Sequence, residues 1–537
     1  MGSSHSHRAM PAHAPVTVRT AVLQLLRDFG IRRIFGNPGS TELPLFLDFP
    51  DDFDYVLGLQ ESVVVGMADG YAAATRNAAF VNLHSAAGVG HAMGAIFTAW
   101  KNRTPMVITA GQQARSILPY DPFLFSAQAT ELPRPYVKWS CEPARAEDVP
   151  QAIARAYYLA MQPPCGPVLV SIPADDWARP CAPVAPRQVG TLLRCDPGVL
   201  GLVGDALDAA ERPALVIGAG VDRDGAWDEV VALAERHRAR VFTAPMSARC
   251  GFPEDHALFA GFLPAMREKI VARLEGSDVV LALGAPAFTY HVEGQGPHLP
   301  AGASLYQVID DPDTVAWAPV GTAAVGSVRL AVRELLERPA PRARTLPAAR
   351  AGRRRVPPAS PMSVAYALQT LADVRRPEHI VVEEAPSARP VMHEHLPMLR
   401  SGTFYTMASG GLGYGLPAAV GVALARPGER VIGLVGDGSA MYSIQALWSA
   451  AQLALPVTFV ILNNRRYAAL QEFAPSFGFR PGSTLPGTDL SGLDFVSMAG
   501  GLGGVEAVRV ERPEALHAAL ETALRSTGPS LVEVIVE

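Results

Sequence analysis

Cysteine is scarce in this chain. Five occur in 537 residues, at Cys141, Cys165, Cys181, Cys195 and Cys250, with no Cys-x-x-Cys pair. An odd, scattered set supports neither a disulfide framework nor a zinc site, so a reducing cytoplasm is the expected compartment. Charge is also sparse: charged residues make up 18%, with a formal net charge of −5. That balance offers no electrostatic case for nucleic acid. No apolar run is long enough to span a bilayer, and the amino terminus lacks the apolar stretch of a signal peptide. Met1 to Met10, with Ser-His-Ser-His, carries no expected structural role. There is no short solenoid-type repeat. The absence of a Gly-Lys-Ser/Thr phosphate loop argues against a P-loop nucleotide-binding protein.

What the chain has instead is glycine (48), proline (47) and a hydrophobic fraction of 49%. At this length the composition suggests two to four domains of α/β type, with many tight strand-helix connections. Three blocks are legible: residues 14–190, 197–337 and 360–537, with a Pro/Ala/Arg-rich connector at 338–359. In the first block, Arg33 to Gly36, Phe80 to His84 and Pro105 to Thr109 read as strands, and Ser62 to Thr75 as a small-residue helix. In the second, Ala214 to Gly218 and Val279 to Gly284 read as buried strands. Gly218-Ala219-Gly220 lacks a full glycine fingerprint and reads as an ordinary strand-helix turn. In the connector, Arg353-Arg354-Arg355 reads as a solvated surface. Ser360-Pro361 suits an N-cap and first helical position.

The densest signal lies in the third block. Val431 to Val435 reads as a buried strand leading into Gly436-Asp437-Gly438. Ser443 to Leu453 reads as a helix, Val457 to Leu462 as the next strand, and Asn463-Asn464 follows. Asp-Gly alone is a common turn. At this spacing, however, Asp437 and Asn464 both reach the crevice at the carboxyl ends of parallel strands. One carboxylate, one amide oxygen and a nearby carbonyl suit a magnesium ion carrying a diphosphate.

Other candidates are anonymous one at a time. Phe35-Gly36-Asn37-Pro38-Gly39-Ser40 is a turn after a strand. Glu61 at a helix start could serve only the helix dipole. His84 and His291 could each be structural. Together with Leu83 to Gly88, Thr109 to Gln113, Leu132 to Pro135, Val137 to Trp139, Gly284 to Pro286 and Gly410 to Gly413, they change character. From about Val16 onward the chain resembles the benzoylformate decarboxylases of the thiamine diphosphate-dependent decarboxylase superfamily.

That resemblance implies three doubly wound parallel-sheet domains: pyrimidine-binding, central and diphosphate-binding. It implies thiamine diphosphate with Mg2+ (or Ca2+) as cofactors. The implied reaction is non-oxidative decarboxylation of a small aryl 2-keto acid, benzoylformate to benzaldehyde, through an enamine intermediate. It further implies self-association into a homodimer, commonly paired into a homotetramer, with two subunits building each site. Ser40, Glu61, His84 and His291 take the catalytic positions. Glu61 faces the pyrimidine ring, Ser40 the substrate carboxylate, and the two histidines move protons. Leu412 is the wedge that bends the cofactor. Ser387, Gly436, Asp437, Gly438, Ser439 and Asn464 hold the diphosphate end, with Asp437, Asn464 and the carbonyl of Arg466 on the metal. Phe123, Leu124, Leu470 and Phe473, with Ser40, line the substrate pocket.

The chain departs from the family pattern at Arg465-Arg466, at Pro386 where a hydroxyl residue is expected, and at Glu131 where an amide is familiar. Two rival readings remain: a carboligase or lyase of the benzaldehyde lyase or acetolactate synthase type, and a catalytically silent protein of the same fold.

Overall fold

The computed structural model describes residues 16–352, 354–480 and 482–537. Three six-stranded sheets follow one another along the chain, and every strand pairing within them is parallel. Their strands are short apolar runs, such as Ala79–Leu83 and Val457–Asn463, buried along their whole length. Such runs belong in a sheet covered by helices on both faces. Arg353 and residues 14–15 lie outside the described residues.

Numbering strands within each sheet from its own amino-terminal end, the first and third sheets share the order 2-1-3-4-6-5. The middle sheet runs 3-2-1-4-5-6. In doubly wound sheets the connections part at the switch point, and a crevice opens beyond the carboxyl ends of the strands there. In the first sheet that point lies between Arg33–Gly36 and Ala79–Leu83. In the third it lies between Ile380–Glu384 and Val431–Gly436.

The middle sheet's switch point, between Pro213–Ile217 and Val279–Leu283, is closed. The Gly218 amide donates to the Leu283 carbonyl and the Gly220 amide to the Gly284 carbonyl, both at 2.9 Å. A methyl on Gly220 would stand 2.6 Å from the Gly284 Cα. The amides that would greet a phosphate are spent on the neighbouring strand.

Two helix expectations need correction. The helix expected at Ser360-Pro361 starts at Val364, because Ser363 supplies the cap, its hydroxyl accepting the Tyr366 amide at 3.2 Å. The helix expected over Ser443 to Leu453 spans only Ala446–Gln452, and a separate short helix, Asp437–Met441, precedes it. Ser443 is fully buried, and its stretch is spent in turns joining the two helices. No helix among the described residues is long and apolar enough to cross a membrane.

The first and third domains meet through two helices, Glu61–Thr75 and Gly415–Ala425. Both are apolar around most of their circumference, as buried helices are. Glycine lets their backbones touch. A Cβ on Gly70 would overlap the Ala418 carbonyl, and one on Gly421 the Met67 carbonyl. The middle domain is latched to both by Arg249, which is buried. Its guanidinium donates to Asp222 at 3.0 Å and to the Ala73 carbonyl at 3.2 Å, and lies 4.5 Å from the Tyr405 ring centroid. The other oxygen of Asp222 accepts from Ser401 and Gly402.

Gly70→Val should therefore overpack the helix contact, at a cost of about 1–3 kcal/mol, read as a lower apparent unfolding temperature. Gly201→Ala, where an added methyl meets nothing, should leave that temperature unchanged or slightly raised.

Candidate active site

The strand Arg33–Gly36 empties into a turn carrying Ser40, which is exposed, and then Thr41 and Glu42, which are buried. Nearby, Gln60 caps the helix Glu61–Thr75 with its side-chain oxygen, accepting from the Ser62 and Val63 amides. The cap fixes Glu61 as the first helical residue and points it into the crevice, where it is 8% exposed. Its Oε1 accepts from Asn37 at 3.4 Å, and its Oε2 lies 3.2 Å from His91 Nδ1.

His84 ends the strand Ala79–Leu83 and is the N-cap residue of the helix Ser85–Asn102. One turn into that helix, Gly88 passes beneath both groups: a Cβ there would stand 3.5 Å from Glu61 Cγ and 3.5 Å from His84 Cβ. The first sheet's switch point thus brings Glu61 and His84 together. The Ser85 hydroxyl donates to the Leu124 carbonyl at 2.8 Å, which brings Leu124 alongside. Phe123, next to it, projects its ring outward at 86% exposure.

The third sheet's switch point carries the second cluster. Asp437 follows strand Val431–Gly436, and Asn464 follows strand Val457–Asn463. The two loops are packed together, since a Cβ on Gly438 would overlap the Tyr467 ring. Asp437 Oδ1 accepts the Gly438 amide at 2.8 Å. Asp437 Oδ2 is buried and has no hydrogen-bond partner. Burial pushes this carboxyl up, and the amides of Gly438, Arg465 and Arg466 partly offset the rise.

A buried carboxylate oxygen without a donor is costly. A divalent cation would satisfy it, and the amide of Asn464 and the carbonyl of Arg466 supply the hard oxygens such an ion takes. The residues present therefore fit a bound cation. Arg465 and Arg466 are both exposed. Ser439 is buried beside Asp437, and Ser387 is half-buried in the turn after strand Ile380–Glu384.

Leu412 precedes the helix Gly415–Ala425 and packs on the core shared by the first and third domains. Its loop is held by Glu384, whose two oxygens accept the amides of Gly413 (2.6 Å) and Gly415 (2.5 Å). Burial pushes Glu384 up to about 8 against those amides. Its neighbour Glu383 goes the other way: despite burial, Arg389, the Ala385 amide and Thr406 hold it low.

His291 reaches the third domain from the middle one. Its ring meets Phe473 edge-on, with centroids 4.8 Å apart. Leu470 and Phe473 are exposed at 55% and 38%.

The expected residues therefore form two groups: Ser40, Glu61, His84, Phe123 and Leu124 in one, Ser387, Leu412, Asp437, Ser439, Asn464, Arg466, Leu470, Phe473 and His291 in the other. Among the described residues, no hydrogen bond or ion pair joins Glu61 or His84 to Asp437 or Asn464. Four polar residues of the site had escaped the sequence reading: Thr41, Glu42, His91 and Glu384. Two signals could have found some of them. Glu42 lies two residues after Ser40, and His91 lies in the helix that follows His84.

Models of the thiamine pyrophosphate enzyme family match the chain in three places: the N-terminal TPP binding domain at residues 16–129, the central domain at 202–335 and the C-terminal TPP binding domain at 387–534. Over 527 residues the chain is 46% identical to benzoylformate decarboxylase of Pseudomonas aeruginosa, covering 96% of this chain and 98% of that one. It is 29% identical to the acetolactate synthase large subunit of Parasynechococcus marenigrum, over 98% of this chain and 89% of the other. Among solved structures, benzoylformate decarboxylase of Polynucleobacter necessarius superposes with a TM-score of 0.94 at 39% identity, over 97% of this chain and 98% of that one. The 4-hydroxybenzoylformate decarboxylase of Rhodococcus jostii does so with a TM-score of 0.93 at 41%, over 97% and 99%. The sheets, the two switch-point clusters and these likenesses agree, and the chain belongs to the thiamine pyrophosphate enzymes, within the benzoylformate decarboxylase family.

Proposed function

We propose that this chain removes carbon dioxide from an aryl 2-keto acid, benzoylformate being the simplest, and releases the aldehyde. The observation that carries the reading is the buried, unsatisfied Asp437 Oδ2 at one switch point, matched by the Glu61–His84 pair at the other. Thiamine diphosphate, when bound, supplies a cationic ring that accepts the electron pair left by departing carbon dioxide. Asp437, Asn464 and the Arg466 carbonyl would hold Mg2+ (or Ca2+) on its diphosphate. Gly436, Gly438, Ser439 and Ser387 would line that end, and Leu412 would support the bend between its rings.

The chain's own groups then have separate tasks. Glu61 shares a proton with the aminopyrimidine. Ser40 binds the substrate carboxylate by its hydroxyl. His84 and His291 hold protons at the reacting oxygen and carbon, work worth about 10²–10⁴-fold when well placed. Phe123, Leu124, Leu470 and Phe473 give the aryl group an apolar wall.

Those tasks are divided between two groups that no hydrogen bond or ion pair joins among the described residues, although their domains meet through the helices Glu61–Thr75 and Gly415–Ala425. In this reading a second copy completes the site, with the Glu61 group of one protomer closing on the Asp437 group of its partner, and pairs of such dimers forming a tetramer, as the family resemblance implies. Exposure of Phe123, Leu470 and Phe473 in the single chain fits this arrangement.

The direct test is a substrate panel with thiamine diphosphate and magnesium, following carbon dioxide and aldehyde. Benzoylformate should be turned over well and pyruvate poorly, and a preference for pyruvate would reject the aryl assignment. Glu61→Gln should lower kcat by about 10²–10⁴-fold and slow exchange of the cofactor's C2 proton, followed by NMR without substrate.

Sharing of the site is tested by mixing. Glu61→Gln and Asp437→Asn proteins, each inactive, should regain activity when their subunits are exchanged. In a two-fold dimer each mixed pair keeps about half of its sites intact. No recovery on demonstrated subunit exchange would place each site within one chain.

A further inference from the structure

His84 is gripped from behind. Its Nδ1 lies 2.9 Å from Glu42 Oε2 and 3.0 Å from Thr41 Oγ1. Glu42 is 1% exposed, and its oxygens are fully engaged. The Gly39 amide donates to Oε2 at 2.8 Å and the Thr41 hydroxyl to Oε1 at 2.7 Å. Two glycines from separate elements make room for this arrangement. A Cβ on Gly39 would overlap the His84 ring, and one on Gly111, in strand Met106–Gln112, would overlap Glu42 Oε1 and Thr41 Oγ1. Tyr55, whose hydroxyl is buried, is pushed up first by burial and then by the charge of Glu42. The remaining charged group at this helix start is Glu61, across Gly88.

A nearly buried carboxylate is seldom kept without a task. This one accepts from a backbone amide, a hydroxyl and the imidazole. An acceptor on one ring nitrogen selects the tautomer and leaves the other nitrogen facing outward. We propose that Glu42 is a positioning residue for His84: it accepts the hydrogen bond from Nδ1–H, fixes the ring against Gly39, and turns Nε2 toward the substrate. This rests on the reading of His84 as a proton-transfer group.

The experiment is a double-mutant cycle on the holoenzyme. Glu42→Gln keeps the volume but offers one acceptor oxygen where three donors converge. It should lower kcat/KM for benzoylformate by about 10–100-fold, the usual cost of losing such a partner, while thiamine diphosphate affinity and the C2 proton exchange rate stay at wild-type values. In the His84→Ala background it should cost nothing further, because coupled residues do not add. Thr41→Val, which removes only the hydroxyl, should show a smaller loss with the same pattern, and it serves if Glu42→Gln fails to fold.

A multiplicative loss in the His84→Ala background, or slowed C2 exchange in Glu42→Gln, would overturn the positioning role while leaving the function of the site intact. A fully active His84→Ala single variant would instead remove His84 from the reaction, and Glu42 with it.

Discussion

Everything at this site is set out from one contact, the backbone-to-backbone packing of the helices Glu61–Thr75 and Gly415–Ala425. Gly70 against Ala418 and Gly421 against Met67 leave no room for even a methyl group. Protein interiors are close-packed and transmit such constraints. The first helix begins with Glu61, and the second follows the loop carrying Leu412. Sliding one helix past the other would therefore move Glu61 and the Leu412 loop of the same chain relative to each other. The chain uses small residues where a mechanical reference must be stiff, and the functional groups hang from its ends.

Three buried carboxylates surround that reference, and the fold treats each differently. Asp437 keeps one buried oxygen without a hydrogen-bond partner, which a cation would satisfy. Glu384 is closed on the amides of Gly413 and Gly415, a structural use that shapes the Leu412 loop. Glu61 sits between, lightly held by Asn37 and His91 at the longer distances of 3.4 and 3.2 Å. Weak holding leaves this carboxylate free to take another partner. Three chemically similar side chains are thus held in three different states by their surroundings alone.

Much of this was legible in the order of residues. Parallel strands announce themselves as short, continuous apolar runs, and the glycines after them as turns. Asp437 and Asn464 could be paired before any coordinates, because strand, helix and strand fix their separation. Helix limits were less legible. Ser360 and Ser363 offer the same capping chemistry, and only packing decides between them. The Ser443 to Leu453 pattern was helical in composition, yet its first three residues are spent in turns and the helix starts at Ala446. Thr41, Glu42, His91 and Glu384 escaped for another reason: each matters through a partner far away in the chain. Glu42 meets a histidine 42 residues on, and Glu384 meets amides about 30 residues on. Local periodicity carries no record of such meetings.

The middle domain shows why similar folds need not share duties. Its sheet has the strand order most often associated with dinucleotides, yet Gly218, Gly220 and Gly284 are pressed together where a phosphate would enter. Glycine there serves closeness rather than ligand access. With its own crevice shut, this domain contributes through its edge: Arg249 and Asp222 bind it to both neighbours, and the segment that leaves strand Val279–Leu283 delivers His291 to Phe473. The same latch that stabilises the assembly therefore also sets how far His291 reaches. A loosened latch would shift His291 against Phe473 before it cost the fold, because the middle domain has cores of its own while the position of His291 depends on how that domain docks.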